Sequence, residues 1–212
     1  MELLLIFFGS FFVAFSGALT PGPLLTVTIA HTIKRGVSAG PLVVAGHMIL
    51  EIGMLVFIVL GLQKYILIPS VMKTIFIIGG LILFFMGYSF IKNRKEMVIK
   101  KENESKSKMF SSPLASGIAA SFSNPYWSIW WVTIGLGYVI KSLRFGILGI
   151  GLFFAGHILA DFVWYYFISF SFSKGKKYIN INKYQIFILL CGIFLIFFGI
   201  WFFIEGLKKQ GY

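Results

Sequence analysis

Four side chains carry most of the chemistry this sequence offers: Glu51, Asp161, His47 and His157. Each acid stands inside a long run without other charges. Glu51 has 15 uncharged residues before it and 12 after; Asp161 has 16 and 12. About 20 apolar residues suffice to span a bilayer, so both acids are predicted near its middle. An ionised side chain there costs at least ~2.5 kcal/mol on insertion scales. A carboxyl so placed persists by taking a proton, by pairing, or by serving a polar cavity. The pattern predicts a proton or cation site facing the bundle interior; the alternative is a neutral, hydrogen-bonded structural carboxyl. His47 and His157 precede the acids by four residues, a spacing that puts both on one helix face. Each pair fits a proton relay, a metal site, since imidazole and carboxylate are both metal ligands, or a histidine that only orients its acid.

A second kind of site is written in helix breakers. Two uncharged runs, Leu3–Ile33 and Met109–Ile140, hold 31 and 32 residues. Each is too long for one straight span and too short for two. The first contains Thr20-Pro21-Gly22-Pro23 and the second Ser123-Asn124-Pro125. Proline removes an amide donor and clashes with the preceding turn, so both runs are predicted as interrupted helices. A break frees carbonyls on one side, which attract cations, and amides on the other, which attract anions. Thr20, Thr26, Ser123 and Asn124 can add hydrogen bonds. Thr20, Pro21, Gly22, Pro23, Asn124 and Pro125 are therefore candidate ligands for a zwitterion such as an amino acid. A plain kink satisfied by serine and threonine is the alternative.

The elements that must position these groups can be counted from the gaps between charges. They give an all-α, polytopic membrane protein with six spans, at about 3–32, 38–62, 70–91, 112–139, 146–171 and 184–206. The halves match in order. Ala45-Gly46-His47 with Glu51 repeats as Ala155-Gly156-His157 with Asp161, 110 residues on, and Gly36 repeats as Gly146 at the same offset. Gly80 and Gly87 repeat as Gly192 and Gly199 at an offset of 112, and Thr20-Pro21 repeats as Asn124-Pro125 at 104. Three spans per half is an odd number, so the second copy enters the membrane inverted, as in secondary transporters. Residues 1–91 form the first three-helix repeat, 92–109 a charged, solvated linker, and 110–212 the second repeat.

Composition agrees. Charged residues make up 12% of the 212 and hydrophobic ones 58%, with a mean hydropathy of +0.89. An ordinary soluble domain carries about 25% charged residues. The formal net charge of +12 reads as topogenic charge in loops rather than a nucleic-acid surface. The three loops after spans 1, 3 and 5 hold 13 Lys and Arg against 6 elsewhere. That predicts a cytoplasmic linker and both termini outside. The start, Met1-Glu2-Leu3, has no basic segment and reads as a retained membrane segment rather than a cleaved signal. One cysteine, Cys191, excludes a thiol relay and reads as a core residue. No catalytic dyad is present, so an enzyme is not expected, and no cofactor is implied. Expected partners are a small-molecule substrate, protons or another coupling ion, and the lipid bilayer; homo-oligomerisation is left open.

The remaining residues divide between packing and recognition. Gly36, Gly40, Gly46 and Gly53 read as close-packing positions. Tyr126, Trp127, Trp130 and Trp131 read as lipid-facing bulk or one wall of a cation site, and Trp164 and Tyr165 carry the same two readings. His31, beside Lys34 and Arg35, reads as interfacial.

The sequence resembles the LysE/RhtB amino-acid exporters. The resemblance rests on Gly17 followed by Thr20-Pro21-Gly22-Pro23, then Gly36, Gly40 and Gly46, then Asn124-Pro125, and it covers essentially the whole chain. It implies export of amino acids or similar metabolites from the cytoplasm across the inner membrane, driven by the proton or another ion gradient. Two features depart from the pattern: Tyr126 follows the Asn-Pro where many relatives have a basic residue, and the Gly-His pairs are extra. The His and carboxylate sets keep a divalent-metal exporter using His47, Glu51, His157 and Asp161 as the alternative.

Overall fold

The computed structural model describes residues 1–20, 22–66, 68–99, 112–175 and 181–208. Among them it is all helical, with no strand. The elements are α1 (Glu2–Ala18), α2 (Pro23–Arg35), α3 (Ala39–Val59), α4 (Pro69–Ile99), α5 (Pro113–Phe122), α6 (Pro125–Trp130), α7 (Leu136–Leu143), α8 (Gly146–Gly175) and α9 (Ile181–Lys208). Four stretches are long and apolar enough to cross a membrane: Pro23–Val59, Pro69–Arg94, Gly146–Gly175 and Ile188–Lys208. Only 33–39% of each crossing window is buried inside the protein. The outward remainder, with Phe8, Phe12, Phe85, Tyr88, Ile147 and Phe197 exposed, suits hydrocarbon rather than water.

Both predicted interruptions are present. The first long run stops at Ala18 and restarts at Pro23; the second stops at Phe122 and restarts at Pro125. Proline stands at the first helical position in each restart, where its missing N–H has no helical partner to lose. Between α6 and α7 the chain makes a π-helical turn, Trp131–Gly135. Gly36, before α3, and Gly146, the first residue of α8, both take positive φ, +75° and +59°, at the entry to the helices that carry the His/acid pairs. Their common offset of 110 is thus matched in backbone conformation, which only glycine adopts freely.

Several glycines set how closely the helices approach. A Cβ on Gly46 would collide with the Leu114 carbonyl of α5, and one on Gly156 with the Phe7 carbonyl of α1. Gly40 faces the Tyr165 carbonyl and Ser169 of α8. α4 and α9 pack antiparallel through Gly80 against Gly199 and Gly87 against Gly192. Apolar side chains fill the rest, with Leu83, Met86, Phe90, Ile188 and Leu195 in one cluster and Ile6, Trp131 and Phe153 in another.

Four expectations change. Gly53 meets nothing within 4 Å and is not a packing position. At that level α3 packs instead through Met54, Leu55 and Ile58, against Trp131 and Val139. α4 runs to Ile99 rather than ending at 91, because Lys92, Arg94, Lys95 and Glu96 are good helix formers. The start of the 92–109 linker is therefore helical, and residues 100–109 lie outside the described residues. His31 is buried, 1% exposed, with Nε2 2.8 Å from Ser116 Oγ of α5. It is an internal tie between α2 and α5 rather than an interfacial residue. Trp131 is fully buried, so it is not lipid-facing bulk.

Gly156→Val should lower the melting temperature of the detergent-solubilised protein, since overpacking of this kind costs about 1–3 kcal/mol. Gly53→Val should leave it nearly unchanged. Equal losses at the two positions would show that helix propensity, not contact, decides.

Candidate functional site

The turn of α3 from His47 to Glu51 and the turn of α8 from His157 to Asp161 face one another. Glu51 is 1% exposed and Asp161 4%. Glu51 Oε1 lies 3.0 Å from His47 Nε2 of its own helix and 2.9 Å from His157 Nε2 of the other. It also accepts from Trp131 Nε1 at 3.2 Å. Asp161 Oδ2 is 3.7 Å from both histidine Nε2 atoms and has no hydrogen-bond donor among the described residues. The arrangement is unequal: one carboxylate gathers the donors and the other is left short.

Ser121 Oγ lies 2.7 Å from both the Gly117 carbonyl and His47 Nδ1. A hydroxyl has one proton, so the group that receives it sets the His47 tautomer. Given to Nδ1, it leaves the Nε2–H of neutral His47 to donate to Glu51 Oε1. Given to the carbonyl, it turns His47 Nδ1–H toward Ser121, and the contact between Nε2 and Oε1 at 3.0 Å then requires one further proton. His157 Nδ1 has no partner among the described residues, which leaves its Nε2–H free to donate to Glu51. Aromatic rings enclose the pair. Trp130 and Trp131 lie 4.9 and 5.3 Å from the His157 ring, and Trp127 lies 6.4 Å from that of His47.

A cavity of about 550 Å³ connects this cluster to both helix breaks. Its lining includes His47, Glu51, His157 and Asp161 at the buried end. Of the predicted break residues, Thr20, Gly22, Pro23 and Asn124 line it as well. Pro125 is buried at the start of α6 but is not in the wall, and Pro21 lies outside the described residues.

The two breaks differ in what they leave open. Hydroxyls take carbonyls at both: Thr20 Oγ1 donates to Ser16 O at 2.9 Å, and Ser123 Oγ donates to Ala119 O. At the second break, Asn124 Oδ1 accepts the Tyr126 amide at 3.1 Å, so the helix start is capped. At the first, Gly22 provides no side-chain cap, and the Leu24 and Leu25 amides have no helical acceptor. Both residues line the cavity. The anion-attracting end is therefore α2 alone.

Sequence reasoning missed Ser121, Phe198 and Trp201, which also line the cavity. Ser121 and the two α9 aromatics reach it through tertiary packing, which leaves no local pattern. Tyr165 is also in the wall, and a signal for it existed: it follows Asp161 by four residues, on the face that already holds His157.

Comparison with known proteins now has a geometry to meet. The family model for LysE type translocators matches residues 15–206. A Bacillus subtilis (strain 168) protein, YcgF, whose name provisionally assigns it to amino acid efflux, is 22% identical over 189 residues, covering 89% of this chain and 90% of that one. No solved structure matches the chain significantly. Members of the matched family are transporters, not enzymes. The chain is a multi-pass membrane protein and belongs to the LysE type translocator family.

Proposed function

We propose that this protein exports amino acids or similar small metabolites from the cytoplasm, coupled to the proton gradient. The observation that carries the reading is the single cavity lined by both helix breaks and by all four His and acid side chains. The amide end of α2 suits the carboxylate of a zwitterion, and the two acids suit its ammonium group. The efflux named for the Bacillus relative supports the same direction of transport. In this reading Ser121 gives its proton to the Gly117 carbonyl, and the further proton that His47 and Glu51 then share supplies the coupling. Substrate ammonium approaching the acids competes for the charge that retains this proton.

The architecture proposed with it is six spans in two inverted three-helix repeats, 1–91 and 110–212. α1 with α2, and α5 with α6 and α7, serve as the two interrupted spans. Matched glycine contacts support it: α1 packs on α8 through Gly156 as α5 packs on α3 through Gly46. The charge bias of the loops supports an inner-membrane location with the 92–109 linker in the cytoplasm and both termini outside.

A second reading has its own observation. Ligand atoms of His47, Glu51 and Asp161 lie within 4.8 Å of one another, and His157 Nε2 adjoins the same carboxylates. A divalent-metal exporter would use these four. It expects purified protein to bind one Zn²⁺ or Mn²⁺ per chain, with binding lost in His47→Ala. Calorimetry that finds no metal bound to folded protein removes this reading.

Proteoliposomes loaded with a mixture of amino acids should show efflux that rises with an imposed pH gradient. In the Glu51→Gln/Asp161→Asn double variant the gradient-dependent part should fall to background. Unchanged efflux in that variant would take both acids out of the mechanism.

Ser121→Ala gives a finer test. Without the hydroxyl acceptor, neutral His47 can turn its proton toward Glu51, and the extra proton is no longer required. Efflux should become markedly less dependent on the pH gradient, while Ser121→Thr keeps the dependence. Rates measured with and without the gradient decide it.

A further inference from the structure

We propose that the cavity selects amino acids with one ammonium group and a large apolar or aromatic side chain, and discriminates against dibasic and acidic ones. This rests on the export reading above. Three features of the wall lead to it.

The first is that no Lys or Arg lines the cavity among the described residues, and the two imidazoles that do, His47 and His157, are already engaged with Glu51. An acidic side chain would enter without a counter-charge, beside two carboxyls, at high desolvation cost. The second is that both acids form a single locus. Glu51 and Asp161 present ligand atoms within 4.8 Å of each other and share the same two imidazoles. A dibasic amino acid carries its second cation several methylene groups from the first. No other acid among the described residues lines the cavity to receive it.

The third feature is what faces that locus. Trp127 and Trp130 come from α6, and Phe198 and Trp201 from α9. The α9 rings lie 5.5 Å apart, and Trp201 lies 6.0 Å from Tyr126. Indole N–H groups and the Tyr126 hydroxyl apart, these rings offer a side chain apolar faces to pack against. The cavity is thus polar at the acids, at the start of α2 and at the Ser16, Thr20, Asn124 and Thr133 side chains, and otherwise mainly aromatic and aliphatic. Its volume of about 550 Å³ falls within the range of about 300–1,000 Å³ usual for small-ligand sites. Apolar pockets discriminate by about tenfold or more per methylene accepted, so side-chain size is the quantity this wall reads.

The test uses proteoliposomes of the full chain, loaded separately with labelled Leu, Phe, Trp, Ala, Lys, Arg and Asp. Leu, Phe and Trp should leave with a kcat/KM at least about tenfold above the others. Preferential efflux of Lys, Arg, Asp or Ala would overturn this proposal and leave the export reading standing. Absence of efflux for every amino acid would overturn both. A wall variant adds a second arm. Trp201→Ala should raise KM for Phe by about tenfold and change KM for Ala little, with Trp201→Phe restoring most of the loss. Equal effects on Phe and Ala, in protein that remains monodisperse, would show that the ring does not read the side chain and would overturn the proposal.

Discussion

A carboxylate has no low-energy place in a hydrocarbon interior unless polar groups surround it, and this chain brings two to one point. Most of the rest of the fold follows from that requirement. Glu51 collects Trp131 and two imidazoles within 3.2 Å. Such distances demand that α3 and α8 approach closely, and side chains larger than hydrogen would hold them apart. Gly40 lets α3 reach the backbone of α8, while Gly46 and Gly156 seat α5 and α1 against the helices that carry the acids. The glycines are therefore part of the electrostatics. They set the separation at which the histidines can neutralise the acids.

The helix breaks solve the complementary problem of room. A pair of intact helices would fill the space above the acids with backbone. Ending α1 at Ala18 and α5 at Phe122 opens that space, and the hydroxyls of Thr20 and Ser123 answer carbonyls left at the two ends. α4 and α9 stand behind as a glycine-zipped pair. α9 also gives Phe198 and Trp201 to the cavity wall, so the scaffold and the pocket are one structure.

Much of this was legible because it is local. A His four residues before an acid declares a shared helix face, and proline declares a break. Offsets of 110 and 112 declare repetition. What stayed hidden depends on the other side of a contact. Nothing near His31 in sequence says that Ser116 will meet it, and its neighbours Lys34 and Arg35 argue for an interface instead. Gly53 lies seven residues beyond Gly46, on nearly the same face, and carries the same packing signal. Which residues of α3 meet a neighbour there, Ile58 rather than Gly53, is decided by tertiary packing. The aromatic run near Trp131 was visible as bulk, but its side depended on a π-helical turn that the sequence does not announce.

The two halves share positive φ at Gly36 and Gly146 but differ at the acids, and that difference has a physical direction. Glutamate is one methylene longer than aspartate, enough to carry Glu51 into the reach of both imidazoles while Asp161 stops at 3.7 Å. Ser121 binds His47 from α5. On α1, which packs on α8 as α5 does on α3, the hydroxyl in the cavity wall is that of Ser16, and it accepts from Trp130 Nε1 rather than meeting His157. His157 Nδ1 accordingly has no partner among the described residues. A perfectly symmetric cluster would satisfy both acids alike and offer an incoming cation no preferred place. Glu51 Oε1 gathers three partners while Glu51 Oε2 and Asp161 Oδ2 have none among the described residues, so the chain concentrates its hydrogen bonds on one carboxylate oxygen and leaves an acceptor unspent on each acid.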